Sequence, residues 1–348
     1  EQTAKRWSHC QIGPLVQRKA LDRQRSVMYG KIESIRFRAT PMFFLGPIMT
    51  TPTASIASVP LRIESLLQQL GDFGLAAGAR EVIRCGDFDG KGNRALADWL
   101  SDDRELCQRL LRWCNTPLYN LARPFRSLEE ACGVMDGCEL ARLAVLASVR
   151  GHFLPDRQVD QYHRETLWSH SIAVGAAAAI ISRTTGCGDP SLIFVAGSLH
   201  DIGLRASEQI NPQALGAVMS LVDELSPIHE VERELLGWDH ACLGEAVVRH
   251  WGLPEPVALV ARYHHEPEQV LSGTWGDGAS GDGTWGDAVA CVALANYLCS
   301  RAGWGTVGRH YLPTPSQRVF AHLGIDQGLL RVLWQQLYVA LESVKLLR

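Results

Sequence analysis

The chain has 348 residues, enough for two domains and a well-buried core. Its hydrophobic content of 46%, charged content of 20% and formal net charge of −3 are ordinary for a soluble globular protein, and they give no reason to expect specific nucleic-acid binding or a membrane partner. The ten cysteines form no C-x-x-C pair, and no apolar run reaches the roughly 18 residues that a membrane span needs. We therefore expect reduced cysteines and a cytoplasmic protein.

The first 58 residues differ in composition from the rest of the chain. Residues 1–40 carry nine Lys and Arg against three acids, and a Pro/Thr/Ser-rich stretch follows at 50–60. Such a composition, without sustained hydrophobic periodicity, cannot bury much surface. We expect residues 1–58 to be disordered or a linker; an alternative is a natural start at Met49.

From Leu61 onward the apolar residues follow helical spacing nearly throughout, and no alternating strand pattern competes with it. This predicts an all-α fold, with an N-terminal helical lobe over 59–155 and a second lobe over 156–348. Asp102 with Glu105 is a capping-box pair inside 95–114, and Ser127 with Glu130 is expected to open a helix in which Val134 to Val145 keep helical spacing. Further helices are predicted over about 160–184, 190–201, 212–224, 228–236, 239–251, 255–265, 288–302 and 315–347.

A glycine-rich segment over 271–287 contains a repeat, because the five residues from Gly273 to Asp277 recur from Gly283 to Asp287. The favoured interpretation is a duplicated surface loop. The alternative is a lid whose two tryptophans, Trp275 and Trp285, cover a pocket.

The segment most informative about chemistry ends an apolar helix in His200-Asp201, and Gly203 is expected to terminate that helix. His170 lies thirty residues earlier. If the two helices flanking residue 185 form an antiparallel hairpin, His170 and His200 lie roughly 21 and 16 Å from its turn, within about one helical turn of each other. Metal sites in helical bundles are built from side chains that face each other in this way.

Three more histidines join this pair. His240 begins a predicted helix, and His264 and His265 end another, where a frayed terminus lets both turn towards one pocket. Imidazole with carboxylate suits Fe, Mn, Co or Zn, and six ligands suffice for one ion or two. The predicted metal ligands are His170, His200, Asp201, His240, His264 and His265. Taken alone, His170 or His240 would more often be a core histidine, and we interpret His152, His163, His229, His250 and His310 as structural.

Two stretches resemble the HD superfamily of metal-dependent phosphohydrolases and, more closely, the HDOD (HD-related output domain) family. One is Leu106–Tyr119, followed by Ser127–Ala131, and the other runs from Trp168 to Pro267 with the motifs WSHS, AGSLHDIG and YHHEP in order. The resemblance covers roughly residues 60–302. It implies an HD-domain-like helical bundle with an N-terminal helical lobe, and ligand positions at the residues named above.

The resemblance also shows departures. Asn296 stands where HD enzymes usually carry a last aspartate ligand, Leu204 stands where a lysine often follows His-Asp, and no Gly-Tyr-Pro signature follows His265-Glu266. HDOD proteins are generally regarded as regulatory output modules. The resemblance therefore implies a signal-transduction protein whose pocket binds one or two Fe, Mn or Zn ions, a nucleotide-like ligand, or both, and which acts on a protein partner.

Two alternatives stay open. One is an active phosphohydrolase, a phosphodiesterase or nucleotide phosphatase, in which Asp201 is catalytic and a metal-bound water is the nucleophile. The other is a scaffold whose pocket binds nothing.

Overall fold

The computed structural model describes residues 58–77, 79–80, 103–115, 121–159, 161–223, 226–272, 284–305 and 312–344. The predicted N-terminal linker, the first copy of the Gly-Trp repeat and His310 lie outside the described residues. Within them, none of the helices is both long and apolar enough to cross a membrane. The seven cysteines whose side chains are described there form no disulfide bond.

The described residues form fifteen α-helices and one short antiparallel strand pair, which confirms the all-α prediction. In chain order the elements are α1 Ser58–Gln69, α2 Arg104–Cys114, α3 Leu128–Cys132, α4 Gly137–Arg150, β1 Gln158–Val159, β2 Tyr162–His163, α5 Arg164–Thr185, α6 Pro190–Leu199, α7 Ile202–Ile210, α8 Pro212–Leu221, α9 Ile228–Leu236, α10 His240–His250, α11 Glu255–Tyr263, α12 Glu268–Leu271, α13 Thr284–Ala302, α14 Gln317–His322 and α15 Gln327–Val344.

The starts of the early helices differ in detail from the prediction. Helix α2 is capped by Asp103, whose side chain accepts from Leu106 N, so the predicted cap at Asp102 is wrong by one residue. Ser127 does cap a helix, but α3 ends at Cys132 and a second cap, Asp136, opens α4. Val134 lies between the two helices and is 70% exposed, so the single helix expected to continue from Ser127 to Val145 is wrong.

The segment that follows α1 packs on helices from the C-terminal part of the chain. Trp251 Nε1 donates to the carbonyl oxygen of Phe73 at 3.0 Å, and His152 Nε2 lies 2.8 Å from the Gly74 oxygen. The His152 and Trp251 rings stack at 6.0 Å, next to the ring of Phe73. Helix α1 itself contacts α10. The start of the predicted N-terminal lobe is therefore packed against the lobe that carries most of the histidines.

The predicted helix over 160–184 begins later than expected. Residues 158–163 instead form the β1–β2 pair, in which Gln158 faces His163. Arg164, the first residue of α5, is held by the fully buried Glu208 through two hydrogen bonds of 2.8 Å. This buried ion pair ties the start of α5 to α7.

Two close glycine contacts set the helix spacing around the pocket. A Cβ on Gly197 of α6 would lie 2.8 Å from Gly175 Cα of α5, and a Cβ on Gly203 of α7 would lie 1.9 Å from the backbone oxygen of His240 in α10. Gly203 was expected to terminate a helix, and this is wrong. Helix α6 ends at Leu199, His200 and Asp201 form the connection, and Gly203 is the second residue of α7, which the hydrophobic pattern did not predict.

The last helices differ from the prediction in where one begins and in how another is divided. The second copy of the repeat supplies the first turn of α13, where Asp287 Oδ1 lies 2.8 Å from His322 Nε2. Trp285 precedes Asn296 by eleven residues, or about 16 Å along the helix axis, which argues against a lid formed by this tryptophan. The predicted helix over 315–347 is divided into α14 and α15 at Gly324, whose φ is +63°.

Candidate metal centre

The predicted site residues converge on the carboxylate of Asp201, which lies in the connection between α6 and α7. Its Oδ2 is 3.1 Å from His200 Nε2 and 4.0 Å from His170 Nε2. Its Oδ1 is 3.4 Å from His240 Nε2 and 3.3 Å from His264 Nε2. One carboxylate thus faces two sets of histidines, the α5–α6 group (His170 and His200) and the α10–α11 group (His240, His264 and His265).

The adjacent residues His264 and His265 both reach the pocket, directly after the last residue of α11. Helix α11 ends at Tyr263, and the backbone of His264 remains close to helical, with φ −61° and ψ −21°. His265 Nε2 lies 3.0 Å from His240 Nε2. The structure therefore brings all six predicted residues together, although His264 itself is not frayed from the helix.

In most of these imidazoles, the nitrogen that faces away from the pocket contacts an oxygen that fixes the orientation of the ring. A carbonyl or carboxylate oxygen can only accept, so a ring nitrogen facing one carries the hydrogen and leaves the other nitrogen as the metal-binding lone pair. Four histidines have Nδ1 facing such an oxygen and Nε2 facing the pocket. The pairs are His170 with Trp304 O at 3.1 Å, His200 with Gly197 O at 2.7 Å, His264 with Ala261 O at 3.0 Å, and His240 with Glu232 Oε2 at 2.5 Å.

Burial and spacing fit a metal ion. His200 and His240 are fully buried, and within the described part of the chain the Nε2 atoms of His200 and His264 have no hydrogen-bond partner. An unpaired buried polar atom is unfavourable, and a cation placed beside either nitrogen would satisfy it. Neighbouring ligands about 2.1 Å from one ion are roughly 3.0–3.4 Å apart at tetrahedral or octahedral angles. The α10–α11 group and Asp201 show contacts of 3.0, 3.3 and 3.4 Å.

The electrostatics hold Asp201, His264 and His265 in forms that can bind a cation and favour the protonated form of His240. Burial alone would raise the pKa of Asp201, but the charge of His200 and the other imidazoles close to the carboxylate hold it well below its usual range. Burial lowers the pKa of His264 and of His265, so both are neutral near pH 7. The pKa of His240 is raised, because Glu232 and Asp201 outweigh the effect of its burial. A carboxylate among imidazoles suits Fe, Mn, Co or Zn.

Two residues of α9 take part in the site and were not predicted. The buried Glu232 accepts from both the backbone N of His240, at 2.8 Å, and its ring. The ring of His229, interpreted above as structural, stacks on His265 with centroids 4.2 Å apart and planes 19° from parallel. Burial lowers the pKa of His229 to about 3. Their i, i+3 spacing on one helix face was the available signal.

The departures from the HD pattern also lie where expected. Asn296 of α13 is buried in the pocket, with Oδ1 at 3.1 Å from His170 Nε2. Leu204 is buried in the first turn of α7. The neighbouring Arg205 pairs with Glu208 at 3.4 Å and donates to His152 O.

The pattern of the HDOD domain matches residues 66–267, more than half of the chain. The chain therefore belongs to the HDOD family. An uncharacterised protein of Treponema pallidum (strain Nichols) is 26% identical over 222 residues, which are 63% of this chain and 41% of that protein. The chain thus spans less than half the length of this relative.

Solved structures share the fold. An HDOD domain protein of unknown function from Geobacter sulfurreducens superposes with a TM-score of 0.59 at 23% identity, over 95% of this chain and 99% of that one. A candidate phosphohydrolase from Shewanella amazonensis SB2B has a TM-score of 0.59 at 20% identity, over 82% and 98%. A candidate signal-transduction protein from Marinobacter aquaeolei VT8 has a TM-score of 0.56 at 19% identity, over 93% and 64%. At these identities the similarity shows the fold alone.

Proposed function

We propose that this chain is a regulatory HDOD protein whose pocket binds a divalent transition metal. Metal occupancy, or a nucleotide-like ligand held through the metal, is then communicated to a protein partner. The observation that carries the proposal is the arrangement around Asp201. The buried Nε2 atoms of His200 and His264 face its carboxylate, while the Nδ1 atoms of the same rings contact backbone carbonyl oxygens. The ion would be held by Asp201, His240, His264 and His265, and it would supply Lewis acidity to a bound anionic group.

The cations around the pocket favour binding over turnover. Phosphoryl transfer needs a cationic or second metal clamp on the phosphoryl oxygens. Arg233, close to the α10–α11 group, is already paired with Asp239 at 2.5 Å and Glu266 at 2.6 Å. Arg205 is paired with Glu208, and the position between Gly203 and Arg205 holds the apolar Leu204. Because both arginines are already paired with carboxylates, neither is available to bind phosphoryl oxygens.

Metal content tests the proposal directly. The wild-type chain, purified without chelator or nickel affinity, is compared by elemental analysis with His200→Ala/Asp201→Ala. His250→Ala serves as the control, because His250 is an exposed histidine at the end of α10. We expect near-stoichiometric Fe, Mn or Zn in the wild type and the control, and a loss in the double variant. Absence of metal from the wild type, even after reconstitution, would overturn the proposal.

The alternative is an active metal-dependent phosphohydrolase, and one observation favours it. Asp201 directs Oδ2 towards the α5–α6 group and Oδ1 towards the α10–α11 group, the arrangement of a carboxylate that bridges two ions. In that case Asp201 also orients the attacking water, and Asp201→Ala abolishes both metal uptake and turnover. Phosphate release from di- and mononucleotide substrates by the Mn- or Fe-loaded wild type would establish this alternative, and its absence supports the regulatory function.

A further inference from the structure

The histidine that differs from the others in the pocket is His170, because both of its ring nitrogens face an oxygen. Nδ1 lies 3.1 Å from the carbonyl oxygen of Trp304, and Nε2 lies 3.1 Å from Asn296 Oδ1. By contrast, Nε2 of His200 and of His264 have no hydrogen-bond partner among the described residues. The nitrogen that His170 would offer to a metal is already engaged.

The contact with Asn296 occupies the Nε2 lone pair in either orientation of the amide. If Oδ1 faces His170, the oxygen can only accept, so Nε2 carries a hydrogen and has no lone pair for a metal. If the amide is turned so that its NH₂ group faces His170, that group donates to the same lone pair. Because Nδ1 donates to the Trp304 oxygen, a neutral ring keeps its lone pair on Nε2, and the second orientation satisfies both nitrogens. Ser300 Oγ, which lies 3.3 Å from the same amide atom, can donate or accept and fits either orientation. A carboxylate at this position would instead be a ligand.

The donors that remain are unequal between the two groups. Without His170, the α5–α6 side keeps only His200 Nε2 and Asp201 Oδ2, whereas the other side has three imidazoles and Asp201 Oδ1. Sites for ions of this type usually have at least three protein ligands. The charge is unequal as well, because Asp201 is the one carboxylate in the two clusters of described residues able to hold a metal. Two dications facing a single carboxylate would repel each other strongly in a buried site.

We propose that Asn296, by engaging His170, restricts the pocket to a single metal ion, held on the α10–α11 side. This inference rests on the proposed metal binding and deepens it. Asn296 is a specificity-determining residue here: it sets the number of ions rather than binding one. Replacing its amide with a carboxylate adds one negative charge and one ligand, and it leaves His170 Nε2 available as a ligand.

The test is the number of Mn²⁺ ions bound per chain, measured by equilibrium dialysis and elemental analysis. We expect one ion for the wild type and close to two for Asn296→Asp. We expect one ion for His170→Ala as well, whereas His264→Ala loses a ligand and should bind Mn²⁺ at least about tenfold more weakly than the wild type. The electron paramagnetic resonance spectrum gives an independent readout, since isolated Mn²⁺ shows a six-line signal and a coupled pair does not.

The outcomes separate this inference from the proposed function. Two ions in the wild type, one in Asn296→Asp, or loss of the ion in His170→Ala would each overturn the role of Asn296 and leave metal binding intact. No ion in the wild type would overturn both. If Asn296→Asp fails to fold, as judged by circular dichroism, the comparison of His170→Ala with His264→Ala still decides which side holds the ion.

Discussion

The two histidine groups of the pocket are built on the same packing device but differ in what surrounds the imidazoles. Each depends on a close glycine contact, between α5 and α6 at Gly175 and Gly197, and between α7 and α10 at Gly203. In the α10–α11 group a buried carboxylate, Glu232, stands behind His240. In the α5–α6 group a neutral amide, Asn296, faces Nε2 of His170. Histidines can therefore offer several nitrogens to a metal ion on one side of Asp201, while on the other side His170 is engaged by the Asn296 amide.

The largest effect is expected from Gly203→Ala, which tests whether the glycine contact builds the α10–α11 group. The new Cβ would meet the backbone oxygen of His240 at 1.9 Å, so α7 and α10 must separate. We expect a loss of about 3 kcal/mol in the free energy of unfolding, measured by urea denaturation. Gly74→Ala is the control, since a Cβ there meets nothing within 4 Å. Equal stability of the two variants would show that the contact does not constrain these helices.

A smaller effect is expected from Glu232→Gln, which removes the carboxylate behind His240. The pKa of His240 is raised through this carboxylate, and a neutral amide would orient the ring less firmly and make it less basic. Metal affinity should fall about 10- to 100-fold, measured by competition with a chromogenic chelator. Glu234→Gln, an exposed change on the same helix, should leave it unaltered. Unchanged metal affinity in Glu232→Gln would show that the carboxylate behind His240 does not distinguish the α10–α11 group from the α5–α6 group.

His229 offers a weaker test of the same side of the pocket. We expect His229→Ala to lower metal affinity roughly two- to tenfold, because the stacked ring that orients His265 is lost, an aromatic contact of about 0.5–1.5 kcal/mol. His229→Phe keeps a stacking surface and should restore most of the affinity in the same titration. Failure of phenylalanine to restore affinity would show that a nitrogen of His229 acts by itself.

The smallest effect concerns His152, an imidazole outside the pocket. Burial lowers its pKa in the folded protein, so below about pH 6.5 the unfolded chain takes up a proton that the folded chain does not. This contribution destabilises the fold as pH falls, by at most about 1.4 kcal/mol per pH unit. His152→Gln should flatten the pH dependence of the unfolding free energy between pH 7 and 5. A slope identical to that of the wild type would show that His152 does not contribute.

Much of the pocket could be predicted because its geometry follows from local rules. The distances of His170 and His200 from the turn between their helices depend only on the rise per residue and on the position of that turn. Both could be read from the sequence. The position of His264 and His265 at the end of a helix was predicted from the hydrophobic pattern, and α11 does end at Tyr263.

The sequence-based prediction failed where packing between distant segments overrides local signals. Gly203 was expected to end a helix, yet its role is to let α7 approach the backbone of His240. Glu232 and His229 carry an ordinary helical spacing, and only the packing of α9 against the ends of α10 and α11 brings them to the imidazoles.

The amino-acid sequence by itself determined the helical class, the approximate position of most helices, and Asp201 with the five histidines that surround it, because hydrophobic spacing and motif order are local properties. Only the tertiary structure decided which nitrogen of each histidine faces the pocket, that Glu232 supports His240 and that Asn296 engages His170. For His170 the relations depend on residues 126 and 134 positions away, Asn296 and Trp304, and such contacts form only when the helices pack.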